Sequence, residues 1–374
     1  MGWCQAFCGI LAVAVALLVG LIFHVSRVPN GVHIDLLQND ERVLGQAVPE
    51  LTPRQVQEYK RDGFVMVRQL ISQQEAAALQ TAAEHVASKN FDIFGFFGGT
   101  HTYKKVMFDL WRTSPEIASL SLQALPRVAS QIMLSQTESE DNDSGSTSFR
   151  LLRDAYFLYE PSGTGCGWHV DDLGFFPANK EANGPTFWIA LDPLLIQEGG
   201  GIAILNRTHF QEQQQQQQSP LSEDDCRLAV EGATCDMEEK SPECQTKMEA
   251  SKMQFDMQPG DALIWDRYTF HRGVSATDKF PKGDDVTKKR YSVRYIPHGA
   301  TAKGAVHSSV GQGQLFDSPY YPQVWPTLLP KEMKALEHGL DQDITVSSAL
   351  AYMAKVLAKK YLPSFLYEPV KEGA

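Results

Sequence analysis

Gly167-Trp168-His169-Val170-Asp171-Asp172 is the stretch on which the reading turns. A histidine and a carboxylate two residues apart on a strand project from the same face, so both can reach one metal ion. Short strand-like runs surround it, at 150–159, 186–192, 201–206, 261–266, 270–275 and 290–296, with Gly and Pro turns between them. Many short strands with this punctuation predict an antiparallel sandwich or barrel. An isolated H-x-D is as readily a surface or core histidine, so a second signal is needed.

Pro259-Gly260-Asp261-Ala262-Leu263-Ile264-Trp265-Asp266 supplies it as a turn followed by a strand, which leads through Arg267–Phe270 to His271. His169, Asp171 and His271 then form a 2-His-1-carboxylate set, an arrangement that holds iron(II) on one face and leaves the others open for cosubstrate and O2. A third signal is Arg290-Tyr291-Ser292, at the start of RYSVRYIP. Arg290 and Ser292 share a strand face, as a dicarboxylate such as 2-oxoglutarate requires. The guanidinium can grip the distal carboxylate with two hydrogen bonds and the hydroxyl can donate another. Read alone, Lys288-Lys289-Arg290 would be a solvated strand entry.

Upstream of the strands the pattern is helical. Thr52-Pro53-Arg54-Gln55 reads as a helix start with Thr as cap, Pro at the first position and Gln reaching back. Gly63 ends that helix and Phe64–Val67 is a short strand. Ser72 and Glu75 cap a second helix to about Ser88, and further helical pattern runs from Ser114 to about Leu134.

Taken together, the order and spacing resemble the phytanoyl-CoA dioxygenase family of iron/2-oxoglutarate oxygenases over roughly residues 51–300. The resemblance rests on LTPRQVQEYKRDGFVMVRQLISQQEAAAL, GWHVDDLGFFP, FWIALDPL with EGGGIAILNRTHF, and PGDALIWDRYTFH. It implies a mainly β fold with flanking helices, a double-stranded β-helix or jelly-roll, with iron(II), 2-oxoglutarate and O2 as cofactor and cosubstrates. It also implies His169, Asp171 and His271 as metal ligands, Arg290 with Ser292 as the cosubstrate contacts, and Trp188 as a pocket aromatic. Lys288 and Arg294 share Arg290's face and are the alternatives. Where the family has Lys or Arg near the end of the first strand, this chain has Tyr159. Halogenating relatives replace the metal-binding carboxylate with Gly or Ala, so Asp171 implies hydroxylation, desaturation or oxidative ring closure. A catalytically silent jelly-roll module and a secretory-pathway protein hydroxylase are the competing readings. A small or lipid-like organic substrate is the expectation.

Composition sets outer bounds. With 34 Lys and Arg against 45 Asp and Glu, the formal charge of −11 argues against nucleic acid or anionic lipid surfaces as partners. Ala6–Phe23 is an unbroken apolar run, and the first charged side chain is Arg27. As a helix that run would span about 27 Å, close to the hydrocarbon thickness of a bilayer. The uncharged start and the absence of an A-x-A-like exit favour a retained membrane anchor over a cleaved signal peptide. Residues 1–27 are therefore expected to be the anchor, 28–50 a linker, 51–300 the oxygenase domain and 301–374 a C-terminal extension. Arg27 and Arg42 after the span point to a cytosolic domain. The sequons at Asn142 and Asn206 and the habit of short N-terminal anchors point to the lumen, which is the preferred side.

Within the domain, 211–254 carries QEQQQQQQ and a strongly acidic run. Such composition predicts a mobile surface insertion with no catalytic role. Cys226, Cys235 and Cys244 fall in it at even spacing that fits no zinc pattern; three free thiols are the preferred expectation, with one disulfide among them the alternative if the domain is lumenal.

Overall fold

The computed structural model of the chain describes residues 44–45, 48–89, 105–134, 148–160, 166–171, 175–217, 221–229, 237–283, 286–303 and 313–332. The apolar run 6–23, the sequon at Asn142 and the acidic loop 135–147 lie outside them. Among the described residues no helix is long and apolar enough to cross a membrane.

The N-terminal signals fold as their chemistry dictates. Helix α1 (Pro53–Asp62) opens on the Thr52–Gln55 capping box and closes at Gly63, whose φ of 84° is accessible to glycine without cost. Strand β1 (Phe64–Val67) follows, then α2 (Gln73–Lys89), capped by Ser72 and Glu75. Strand β2 (Lys105–Phe108) precedes a helical run made of α3 (Pro115–Ser119), a π-turn at Leu120–Ala124 and α4 (Leu125–Met133). The end of the expected linker already belongs to the fold, because Leu44 is buried in this helical layer and Gly45 donates to Glu75.

Seven strands build one antiparallel sheet. In spatial order they are β1, β7 (Ala262–Asp266), β4 (Pro185–Ala190), β9 (Lys288–Pro297), β3 (Phe149–Tyr159) and β10 (Gln323–Trp325), with β2 also on β3. A smaller sheet has the order β6 (Lys252–Met253), β5 (Ile202–Leu205) and β8 (His271–Gly273). The two-residue period of the strands then sorts every side chain. Phe187 and Ile189, Ala262 and Ile264, and Tyr291, Val293 and Tyr295 face the helices and form the larger core with Leu79, Ile117, Leu125 and Val128. Trp188, Leu263 and Trp265 point the other way and meet Ile202, Ile204 and Met257 in a second core that joins the two sheets. This is a curled, mainly β, jelly-roll-like architecture with the N-terminal helices layered on the large sheet.

Three expectations change. The segment 211–254 is not a loose surface insertion. It contributes most of α5 (Arg207–Gln217), then α6 (Glu223–Ala229), α7 (Met237–Lys240) and α8 (Pro242–Ala250). Cys226, Met237, Cys244 and Met248 pack with Phe210, Trp168, Val170, Leu205 and Phe270 into a third core behind the small sheet. The free-thiol reading also fails, since Cys226 and Cys244 form a disulfide that closes this subdomain. Finally, residue 300 does not end the sheet. Strand β10 pairs with β3, and buried Glu332 binds the buried Arg150 at 2.7 Å.

Candidate metal and cosubstrate site

The site lies between the two sheets, and local backbone pairing builds it. His169 and His271 form an isolated antiparallel bridge, each main-chain N–H donating to the other's carbonyl at 3.0 Å. Asp171 is held by its own N–H on the Arg267 carbonyl at 3.2 Å. The three side chains are buried, and one ligand atom from each lies within 4.8 Å of the others.

Both imidazoles have a determined tautomer. His169 Nδ1 lies 2.7 Å from the Gly167 carbonyl and His271 Nδ1 lies 3.0 Å from the Thr269 carbonyl. A carbonyl only accepts, so each Nδ1 carries the hydrogen and each Nε2 keeps its lone pair, the arrangement a metal needs. Burial disfavours the charged ring at both positions, and at His271 the neighbouring His169 adds to this, pushing its pKa down to about 3. The rings sit 4.3 Å apart, and Trp265 packs on His271 at 4.7 Å.

Asp171 is the opposite case. Burial alone would raise its pKa, but Arg294 and the two histidines outweigh it and hold the carboxyl well below the usual carboxylate range. Arg294 Nε donates to Oδ2 at 3.2 Å and Nη2 to Oδ1 at 3.3 Å, while the Thr186 hydroxyl donates to Oδ2 at 2.8 Å. Oδ1 lies 3.7 Å from His271 Nε2. Two neutral imidazole nitrogens and one ionised oxygen, converging and buried, are the donor set that iron(II) takes in a facial triad.

The inner face of β9 continues the site. Arg290, Ser292 and Arg294 alternate inward, and the register sets Ser292 opposite Trp188 and Arg294 opposite Thr186. Arg294 therefore belongs to Asp171, with its Nη1 also donating to the Ser292 hydroxyl at 3.0 Å. Lys288 is committed elsewhere, to Glu198 at 3.0 Å and the Pro193 carbonyl at 2.7 Å. Arg290 is buried between the rings of Tyr159 and Trp188, 5.1 Å from each, and donates to the Gly200 carbonyl at 2.5 Å. Of the three cations on this face, Arg294 and Lys288 are each held by a carboxylate of the chain, Asp171 and Glu198. Tyr159, where the family has a cation, instead stacks on the Arg290 guanidinium.

Sequence reasoning brought six residues to this place and missed Thr186, which had a usable signal, since it shares the parity of Trp188 in PTFWIALD. The sequon at Asn206 is unsuited to modification: Asn206 is buried, its side chain accepts from the His209 N–H, and Thr208 donates to Asp62.

A β architecture of this kind with a buried His–Asp–His cluster defines an iron- and 2-oxoglutarate-dependent oxygenase. Residues 59–280, more than half of the 374, match the family model of phytanoyl-CoA dioxygenase (PhyH), and the chain belongs to that family. It is accordingly a 2-oxoglutarate-dependent dioxygenase, with iron as its metal and O2 as the oxidant. Similar solved structures share the fold. One is the non-heme alpha ketoglutarate-dependent carbocyclase SnoK from nogalamycin biosynthesis, at 19% identity and TM-score 0.51, covering 75% of this chain and 98% of its own. Another is the epimerase SnoN in complex with Fe3+, alpha ketoglutarate and nogalamycin RO, at 16% identity and TM-score 0.50, covering 72% and 97%. No curated protein sequence matches the chain.

Proposed function

We propose that the enzyme oxidises a small or lipid-like organic substrate by hydroxylation, desaturation or oxidative ring closure, with His169, Asp171 and His271 holding the iron. The observation that carries this reading is the pair of imidazoles whose Nδ1 atoms are fixed on carbonyls, with His271 Nε2 facing Asp171 and one ligand atom of each of the three residues within 4.8 Å of the others. Iron with 2-oxoglutarate and O2 supplies the oxidation, releasing succinate and CO2. The chain's own residues do the rest. Arg290 binds the distal carboxylate of 2-oxoglutarate, Ser292 and Trp188 shape that pocket, and the aromatic walls exclude water. Arg294 and Thr186 keep Asp171 ionised and oriented, so that the carboxylate fills the place a halide would need.

The test is substrate-stimulated succinate release by the purified full-length protein over a panel of acyl-CoAs, free lipids, prenylated amino acids and peptides. Product mass distinguishes the reactions, since hydroxylation adds one oxygen and desaturation or ring closure removes two hydrogens. A protein that binds iron and 2-oxoglutarate but releases succinate only with peptides would transfer the reading to protein hydroxylation.

The apolar run 6–23 is proposed as a single membrane anchor with the domain on the lumenal side. The Cys226–Cys244 disulfide supports that side, because such bonds persist in oxidising compartments. Endoglycosidase treatment tests it through a mobility shift that Asn142→Gln removes. Absence of the shift, with the domain open to protease in intact microsomes, would put it in the cytosol.

A further inference from the structure

The two proposed histidine ligands are neighbours on paired backbone, and the residues beside them point to the opposite face. Trp168 precedes His169 and Arg272 follows His271. On that outer face both converge on one carboxylate, Glu249, from the penultimate position of α8. Trp168 Nε1 donates to Glu249 Oε1 at 2.8 Å, while Arg272 donates through Nε to Oε1 at 2.6 Å and through Nη2 to Oε2 at 3.0 Å. Lys252, on β6 at the edge of the small sheet, donates to Oε2 at 2.7 Å. The Arg272 guanidinium also lies 5.6 Å from the centre of the Trp168 ring, so the three groups form a closed set.

Each imidazole is fixed at Nδ1 by a carbonyl two residues before it in the chain. The two segments pair through main-chain bonds at the His169–His271 bridge and on either side of it, where the Asp171 N–H meets the Arg267 carbonyl at 3.2 Å and the Gly273 N–H meets the Cys166 carbonyl at 2.8 Å. The Glu249 cluster adds a side-chain tie across the same two segments, from behind. It comes from the subdomain that the Cys226–Cys244 disulfide closes and that packs on Trp168 and Phe270.

We propose that Glu249 is a positioning residue for the metal centre, acting through Trp168 and Arg272 to fix the separation of His169 Nε2 and His271 Nε2. The helical insertion is then a backplate for the site. This rests on the ligand assignment above, and the experiment separates the two.

Cobalt(II) alone is the probe, titrated into the full-length protein under argon and followed by the absorption bands that report its coordination geometry. His169→Ala tests the ligand assignment, Glu249→Ala the backplate, Glu249→Gln its conservative rescue and Glu239→Ala, an exposed residue of α7, the control. Glu249→Ala is expected to bind cobalt about tenfold more weakly with displaced bands, at the low end of what partners of metal ligands contribute. Glu249→Gln, which still accepts hydrogen bonds from Trp168 and Arg272, should recover most of that loss, and Glu239→Ala should match the unmodified protein. If Glu249→Ala binds cobalt within twofold and with unchanged bands while His169→Ala loses it, the proposal is overturned and the ligand assignment stands. If His169→Ala also keeps its cobalt, the ligand assignment itself fails. Should Glu249→Ala not fold, Trp168→Phe removes one donor and keeps the ring. Weaker cobalt binding by that variant supports the proposal, and unchanged binding overturns it.

Discussion

His169 and His271, 102 positions apart in the chain, exchange two main-chain hydrogen bonds of 3.0 Å. The separation of the two imidazoles is therefore a property of backbone pairing. The third residue of the proposed set, Asp171, gets its orientation from Thr186 and Arg294 on two strands of the other sheet.

Replacing either histidine by alanine should abolish iron binding and turnover and leave the fold intact. The bridge uses only main-chain atoms, and the remaining two side chains seldom retain the ion. Metal analysis of the purified variants together with circular dichroism checks it. Near-normal iron content in either variant would remove that residue from the ligand set.

Arg290 and Arg294 should separate cleanly. Arg290→Ala is expected to raise the apparent KM for 2-oxoglutarate by one to two orders of magnitude, because losing a buried charge-assisted contact costs about 2–3 kcal/mol and 1.4 kcal/mol is tenfold. Arg294→Lys keeps the charge but not the two-pronged grip on Asp171. It should weaken iron binding and change the 2-oxoglutarate requirement by no more than a few fold. The reverse pattern in steady-state kinetics would exchange the two roles.

Asp154 predicts how stability depends on pH. Burial first, and the charge of Asp109 second, push its pKa up to about 7 despite hydrogen bonds from Tyr291 and the Trp111 N–H. The folded protein therefore keeps a proton that the unfolded chain releases near pH 4. The group's advantage is complete below about pH 4, and stability falls as pH rises to about 7, by at most roughly 1.4 kcal/mol per pH unit. Denaturant unfolding of Asp154→Asn should show a shallower decline across that window. A decline as steep as in the unmodified protein would mean that another group is responsible.

Reducing the Cys226–Cys244 bond should destabilise the protein. A loop closed over 18 residues corresponds to about 3 kcal/mol in the chain-entropy account, or roughly 4 °C in Tm for a chain of 374 residues. Calorimetry with and without a reductant measures it, with the double serine variant as reference. Identical melting in both conditions would show that the subdomain is held by its packing alone.

The sequence made much of this visible, and the reasons are specific. His169 and Asp171 were readable because a two-residue spacing on a strand leaves one outcome for direction. His271 was readable from the turn and strand before it, and the helix starts at Thr52 and Ser72 from capping chemistry. Arg290 and Arg294 share a face by the same rule, so parity could not tell them apart. Cross-strand register separates their surroundings, by setting Thr186 opposite Arg294 beside Asp171 and Ala190 opposite Arg290. The insertion was misread because its buried residues, Cys226, Met237, Cys244 and Met248, are sparse within a polar run and cohere only once packed against Trp168 and Phe270. Glu249 lies 81 residues from Trp168 and 23 from Arg272, and no local pattern links such positions.

The C-terminal strand has a practical consequence. The border drawn by similarity and the border drawn by folding are different borders. The family match stops at 280, before β9 begins, and a fragment cut at 300 would keep β9 but lose β10. Strand β3 would then present part of an unpaired edge, a template for aggregation. Arg150 would be stranded without Glu332, and breaking a buried pair of this kind costs about 3–5 kcal/mol. A shortened protein meant for crystallisation or enzymology should therefore run at least through residue 332, well past the point where kinship with its relatives fades.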